Sequence, residues 1–269
     1  MAKIRILVRG SGDIGSAVAC QLFRAGYAVV IHDIAEPVAT RRKMAFTDAI
    51  FDGSARLENV EARLVEKVSL LDGLLAVREI IPLTILNFRE LLQAMQPQVL
   101  VDARMRKHSQ PENQRQLAAL TIGLGPNFIA GQSVDLAVET TWGDTLGNII
   151  REGSTSPLAG EPNPIGGHTR DRYVYAPCAG VFHTSHQIGD IVSQGEEIAR
   201  INETRLAAPL GGVIRGLTHD SVPVEVNTKV IEIDPRLENP QISGILARQA
   251  RIARGVLLAI QAWEQNPGN

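Results

Sequence analysis

The chain has little of what several function classes require. Only two cysteines, Cys20 and Cys178, occur in 269 residues, far apart and in no CxxC pair, which argues against a disulfide framework and against a cysteine-rich zinc site. His183 and His186 stand three apart with no convergent third ligand, so no metal is expected there. Aromatic residues make up 4% of the chain, no long basic stripe occurs and the net charge is −2, so the stacking platforms and positive field that nucleic-acid partners need are both missing. No apolar run reaches membrane-span length, and a strand pattern starts within the first residues. No membrane association and no secretory leader are therefore expected, and the cytoplasm is the expected compartment. What is present is 44% hydrophobic residues, enough for one large core or two modest ones.

The stretch from Ile4 to Asp33, IRILVRGSGDIGSAVACQLFRAGYAVVIHD, organises the first half. Ile4 to Val8 suits a buried parallel strand, and Gly10, Gly12 and Gly15 then form GxGxxG where a helix must begin. In that setting Gly10 permits the tight turn, Gly12 lets a pyrophosphate approach the backbone, and Gly15 lets the helix pack on the strand. Asp33 closes the next apolar run, where a carboxylate can bond a ribose hydroxyl. Gly10, Gly12, Asp13, Gly15 and Asp33 are thus candidate nucleotide contacts. The same turn can also belong to a scaffold that binds nothing, and the residues alone leave both readings open.

After Asp33, the apolar positions Val38, Met44, Ala45, Ala49 and Ile50 suit a helix, and Arg41, Arg42 and Lys43 form a basic triplet. Arg41 and Arg42 follow the second strand, where a phosphate contact or a solvated helix face are both open readings. Residues Ala55 to Glu66 read as a short inserted hairpin around Glu58 and Asn59. Ser69 with Asp72, and Asn87 with Glu90, resemble capping boxes opening two further helices. After a further apolar strand, Ile80 to Leu86, Asp102, Arg104, Arg106 and Lys107 gather at the carboxyl end of the strand Val99 to Val101, and Gly123 and Gly125 lie at the end of the strand Thr121 to Leu124. That edge of an open α/β sheet is where ligands lie, so Asp102, Arg104, Gly123 and Gly125 join the candidate site. A short helix is expected after Glu139, ending near Glu152.

Residues 153–171 are rich in Gly and Pro and read as a linker. Beyond them lies an internal repeat: Tyr173 to Asn202 aligns without gaps on Arg205 to Asp234, setting Ala176 and Pro177 on Ala208 and Pro209, Gly180 on Gly212, Val192 on Val224 and Ile201 on Ile233. The phrases Ala176 to Val181 and Ile188 to Ile198 resemble the barrel-sandwich hybrid of biotinyl and lipoyl domains. The hairpin between the repeats is Asn202, Glu203, Thr204, Arg205, so the carrier lysine such domains modify is missing. Ile245, Leu246, Ile252, Val256, Leu257 and Ile260 then mark an amphipathic helix. The expected fold class is therefore α/β: a Rossmann-like parallel sheet domain (1–152), the linker, a small all-β barrel domain (172–235) and a C-terminal helical segment (236–269).

The order of these phrases resembles the YqeB-type accessory proteins encoded with selenium-dependent molybdenum hydroxylases. The matching stretches are VRGSGDIGSAVA, Pro37 through Arg41 and Arg42 to Phe46, Asp102 with Arg104, Gly123 to Gly131, Glu139 with Gly143 and Gly147, Ile165 to Gly167, Ile233 to Arg236, and Ile242 and Ser243 with Gly255 to Leu257. The chain departs from that pattern at Trp142, Gly143, Asp144 and at Gly244, Ile245. The resemblance implies maturation of a molybdenum hydroxylase client, with a bound nucleotide or molybdenum cofactor such as NAD(P) or a molybdopterin dinucleotide, and brings no catalytic residue with it. Two other classes stay open: an NAD(P)-dependent oxidoreductase, for which His32 and His108 are the histidines with reach to a strand end, and a non-catalytic protein-binding adaptor.

Overall fold

Strand β1 (Arg5–Arg9) runs into helix α1 (Asp13–Arg24) and strand β2 (Ala28–His32) in one continuous unit, as the glycine-punctuated run requires. The structure is a computed structural model describing residues 4–106, 109–157 and 162–266. There follow α2 (Ala49–Asp52), β3 (Ser54–Leu57), β4 (Val60–Leu64), α3 (Leu71–Val77), β5 (Ile81–Thr84), α4 (Phe88–Met95), β6 (Val99–Asp102), β7 (Leu120–Leu124), β8 (Ile129–Ala130), β9 (Leu136–Val138), β10 (Ile149–Ile150) and β11 (Gly153–Ser154). The second half holds β12 (Tyr173–Tyr175), β13 (Gly180–His183), β14 (Ile191–Val192), β15 (Glu197–Ile201), β16 (Thr204–Ala207), β17 (Gly212–Leu217), β18 (Pro223–Val224) and β19 (Lys229–Asp234), and the chain closes with α5 (Ala247–Gln265).

Nine strands form one sheet in the order β10-β9-β7-β6-β1-β2-β5-β4-β3. Its interior pairs are parallel, while β10 on β9 and β3 on β4 are antiparallel. Alternate side chains separate two cores, as strand geometry demands. Ile6, Val8, Val29 and Ile31 meet α1 and α5 on one face, whereas Leu7, Val30 and Leu100 meet Leu71, Leu75, Leu91 and Met95 of α3 and α4 on the other. Register aligns Arg9 with His32 and with Asp102, and Asp102 with Gly123, so the carboxyl ends of β2, β1, β6 and β7 form one ledge.

The last strands make two four-stranded antiparallel sheets, β12-β19-β17-β14 and β16-β15-β13-β18. The sequence repeat is visible in them: β12, β13, β14 and β15 correspond to β16, β17, β18 and β19, and exchanging the halves turns one sheet order into the other. The connection between the repeats is the β15–β16 hairpin, where Asn202 takes a left-handed φ of 51°.

The fold class read from the sequence needs correction. A Rossmann-like parallel domain followed by a biotinyl/lipoyl-type barrel does not describe this molecule: the large sheet is mixed, with antiparallel strands at both borders, and the all-β part is two separate small sheets. The amphipathic C-terminal helix packs back onto the body, α5 lying along α1 in the main core. Local readings shift as well. The stretch after β2 forms only a 3-10 turn at Arg42–Met44 and the short α2, because Arg42 and Lys43 are drawn onto the second half through the carbonyls of Leu217 and Ile188. Ser69 caps nothing, α3 starting at Leu71 behind a 3-10 turn, while Asn87 does cap α4 by accepting from the N–H groups of Arg89 and Glu90. The helix expected after Glu139 is instead the edge strand β10, approached through turns with positive φ at Gly143 and Gly147. The hairpin expected around Glu58 and Asn59 is β3–β4.

The two cysteines differ sharply. Cys20 is fully buried in α1 and burial pushes its thiol up to about 11, whereas Cys178 is partly exposed, 3.6 Å from the Thr204 hydroxyl. A thiol reagent at about pH 8 should therefore label one cysteine in the native protein and two in urea. Rapid labelling of both without denaturant would contradict this packing.

Candidate functional site

The glycine turn sits at the ledge, between β1 and the N-terminus of α1. Its three glycines do different work. A side chain at Gly10, whose φ is +102°, would press on the carbonyl of Ala103 at 2.9 Å, and one at Gly15 would lie 2.0 Å from the carbonyl oxygen of Gly10. Both are therefore demanded by packing alone. Gly12 has an ordinary φ of −65° and no atom of the described residues within 4 Å of where its Cβ would stand. The turn is braced from below: Asp33 Oδ2 accepts from the N–H and hydroxyl of Ser11 at 2.6 and 2.7 Å, and the hydroxyls of Ser16 and Thr47 donate to the Ser11 carbonyl. Asp33, expected at a ribose, thus serves first to hold the turn, with its Oδ1 accepting from the N–H of Ile34.

Beside the turn lies a cluster at the strand ends. Asp102 is buried and accepts from Arg104 through Nε at 3.0 Å and Nη2 at 2.5 Å, and from the amide of Gln114. Burial alone would raise the Asp102 carboxyl, but Arg104, Gln114 and Arg9 outweigh it and hold it below its ordinary value. Arg9, at the end of β1, stacks over the Phe88 ring at 3.8 Å, and its Nη1 donates to Glu112 at 2.8 Å. Arg104 and Arg106 also donate to Glu112. Lys107 and His108 lie outside the described residues. The other histidine considered for chemistry, His32, is buried, its Nε2 2.9 Å from the carbonyl of Leu86, and burial lowers its pKa. Gly123 is filled over by the Phe128 ring, which would lie 2.4 Å from a Cβ there, and Gly125 faces Met105 with a φ of +103°. Neither glycine keeps space open for a ligand.

Arg41 and Arg42 go elsewhere. Arg42 binds Asp48 and the Leu217 carbonyl. Arg41 bridges the halves, from Asp13 at 3.2 Å to Glu232 on β19 at 3.0 Å. Glu232 is completely buried and serves four cations, Arg41, Arg172, Arg215 and Lys229, with Arg172 at 2.5 Å and Arg215 at 2.9 Å. Burial would raise this carboxyl, yet Lys229 and Arg41 lead the charges that hold it far below the usual carboxylate range. Asp13 also receives the amide of Gln249 on α5, so glycine turn, C-terminal helix and second half meet at one polar junction. The sequence reading missed Glu232, Arg172, Arg215, Arg9 and Glu112. A signal existed for two of them: Arg215 within GVIRGL and Glu232 within KVIEID stand between apolar residues at buried strand positions, and a charge there needs a partner.

The site and sheet define an α/β protein with a mixed sheet, whose strand-end ledge carries Gly12 beside three arginines paired with carboxylates. No family model matches the chain. It is similar to the uncharacterized protein YqeB of Escherichia coli (strain K12), 36% identical over 256 residues that cover 95% of this chain and 47% of that protein. The likeness to YqeB read from the sequence phrases is therefore borne out as a likeness of sequence, and the chain spans about half the length of this relative. Among solved structures, an aspartoacylase family protein from Mesorhizobium loti covers 87% of this chain and 85% of its own at 10% identity and a TM-score of 0.24. The product-bound ectoine utilization protein EutE (DoeB) from Ruegeria pomeroyi covers 87% and 86% at 12% identity and a TM-score of 0.27. At such scores neither fold detail nor chemistry transfers.

Proposed function

We propose that this protein is an accessory factor that holds an anionic, nucleotide-type cofactor at the glycine turn and serves a molybdenum hydroxylase client. The observation that carries the reading is Gly12. Gly10 and Gly15 are explained by the protein's own packing, whereas at Gly12, the N-cap of α1, φ is ordinary and no atom of the described residues lies within 4 Å of the Cβ position. A ligand pressed against the backbone there supplies the missing reason, and the first N–H groups of α1 would face its phosphate. The client belongs to the proposal through the YqeB-type resemblance. The phosphate end of such a ligand fits the turn. At the ribose end Asp33 Oδ1 would have to accept a second hydrogen bond beside the one from the N–H of Ile34.

Gly12→Val tests this directly. The variant should melt within a degree or two of the wild type and lose binding of NAD(P), or of whichever nucleotide or molybdopterin dinucleotide the native protein releases for mass spectrometry. Calorimetry showing no heat with any of these on the wild-type chain would end the nucleotide reading. Normal hydroxylase activity and cofactor content in cells lacking the protein would end the maturation role.

A further inference from the structure

Arg9, Arg104 and Arg106 reach the ledge from two different strand ends and close on one carboxylate. Arg9 Nη1 stands 2.8 Å and Arg104 Nη2 2.6 Å from Glu112 Oε1, while Arg106 donates to Oε2. The second acid of the cluster, Asp102, is buried in the sheet and already takes Arg104 side-on, so it is part of the framework. Glu112 differs: it stands on the loop after β6, and its side chain is 46% exposed. Arg9 is only 7% exposed and its Nε has no hydrogen-bond partner among the described residues. The backbone nitrogen of Arg104 lies 3.0 Å from the Cβ position of Gly10, so the backbone that carries Arg104 packs against the glycine turn.

We propose that these three arginines form a phosphate subsite and that Glu112 is its internal occupant, displaced when a diphosphate-bearing ligand binds across the turn. Three guanidinium groups converging on one reachable carboxylate fit a phosphate better, because its oxygens can accept from all three without sharing and it carries more charge. Two carboxylates offset three arginines while Glu112 is in place, and one offsets three when it leaves, so the vacated seat is strongly cationic. Arg9 cannot retreat to water, being pinned over Phe88. The subsite rests on the glycine-turn reading for its nucleotide, though a free phosphate group would meet the same chemistry.

Calorimetry at low ionic strength on the full chain, with inorganic pyrophosphate and with ADP as probes, separates the cases. Glu112→Gln should bind pyrophosphate about tenfold more tightly than the wild type, and Arg104→Ala added to it should remove the gain. No gain in Glu112→Gln, or a gain that survives Arg104→Ala, overturns the subsite. Gly12→Val placed in the Glu112→Gln background should abolish ADP binding and leave the pyrophosphate gain. A gain with ADP binding untouched by Gly12→Val keeps the subsite and removes the glycine-turn reading; loss of ADP binding without any gain does the reverse. Should Glu112→Gln lose its cooperative melt, the thermal shift that pyrophosphate gives the wild type must vanish in Arg104→Gln, and an unchanged shift overturns the proposal.

Discussion

Replacing Glu232 by Gln should cost about 3–5 kcal/mol of stability, a large share of what a chain of this kind has in total. The substitution keeps volume and shape, so the loss is electrostatic. Arg41, Arg172, Arg215 and Lys229 all bond this carboxylate, which is fully buried, as are Arg172 and Arg215. Neutralising it removes the charge that these four cations share, leaving Arg41 its pair with Asp13 at 3.2 Å and Arg215 the more distant Asp234 at 3.8 Å. Urea unfolding should show a lower midpoint with an unchanged slope. The pH dependence follows with a definite sign. Glu232 is depressed in the folded state, so its contribution is complete above the ordinary glutamate value of about 4.3 and drains away as pH falls below it toward the lower folded value. The wild type should therefore lose stability steeply on acidification below about pH 5, and Glu232→Gln less steeply. Adding Arg172→Met should recover part of the loss by removing one of the orphaned cations. A cost under about 1 kcal/mol would mean that water reaches this junction and screens it.

What the sequence made legible was whatever depends on neighbours along the chain. The strand-turn-helix unit of β1, α1 and β2, the β3–β4 hairpin, the cap at Asn87 and the repeat behind the two small sheets all follow from local patterns, and all are present. The errors arise where distant segments meet. Arg41, Arg42 and Lys43 looked like a basic face near a ribose, yet each reaches the second half, to Glu232, Leu217 and Ile188. Those contacts pull the backbone out of the helix its apolar spacing favoured. The parallel reading failed at the β10 border of the sheet for another reason: β10 turns back on β9 behind Gly143 and Gly147, and a two-residue strand carries too little pattern to announce its direction. At the site, Gly10, Gly12 and Gly15 look alike in sequence, and only their surroundings separate the two that packing requires from the one it does not.

Gly15→Ala and Gly12→Ala should consequently behave in opposite ways. A methyl group at Gly15 would stand 2.0 Å from the carbonyl oxygen of Gly10, well inside any permitted contact, and the obstacle is backbone rather than a side chain that can rotate away. Gly10 cannot yield, because its N–H is tied to the His32 carbonyl at 2.8 Å and its own Cβ position is closed by Ala103. The helix must then move off the turn and toward α5, which is itself held close to the Gly147 loop, a Cβ at Gly255 standing 2.2 Å from the Gly147 carbonyl oxygen. Gly15→Ala should therefore lose about 3 kcal/mol or more, at the upper end of what overpacking costs. Gly12→Ala meets no atom and takes an ordinary φ, so it should be neutral or gain up to about 1 kcal/mol by restricting the unfolded chain. Thermal melts of the two variants side by side measure the difference. A Gly15→Ala melt matching the wild type would show that α1 and the turn are not in the close contact described, and would remove the reason for treating Gly12 as the glycine kept for a ligand.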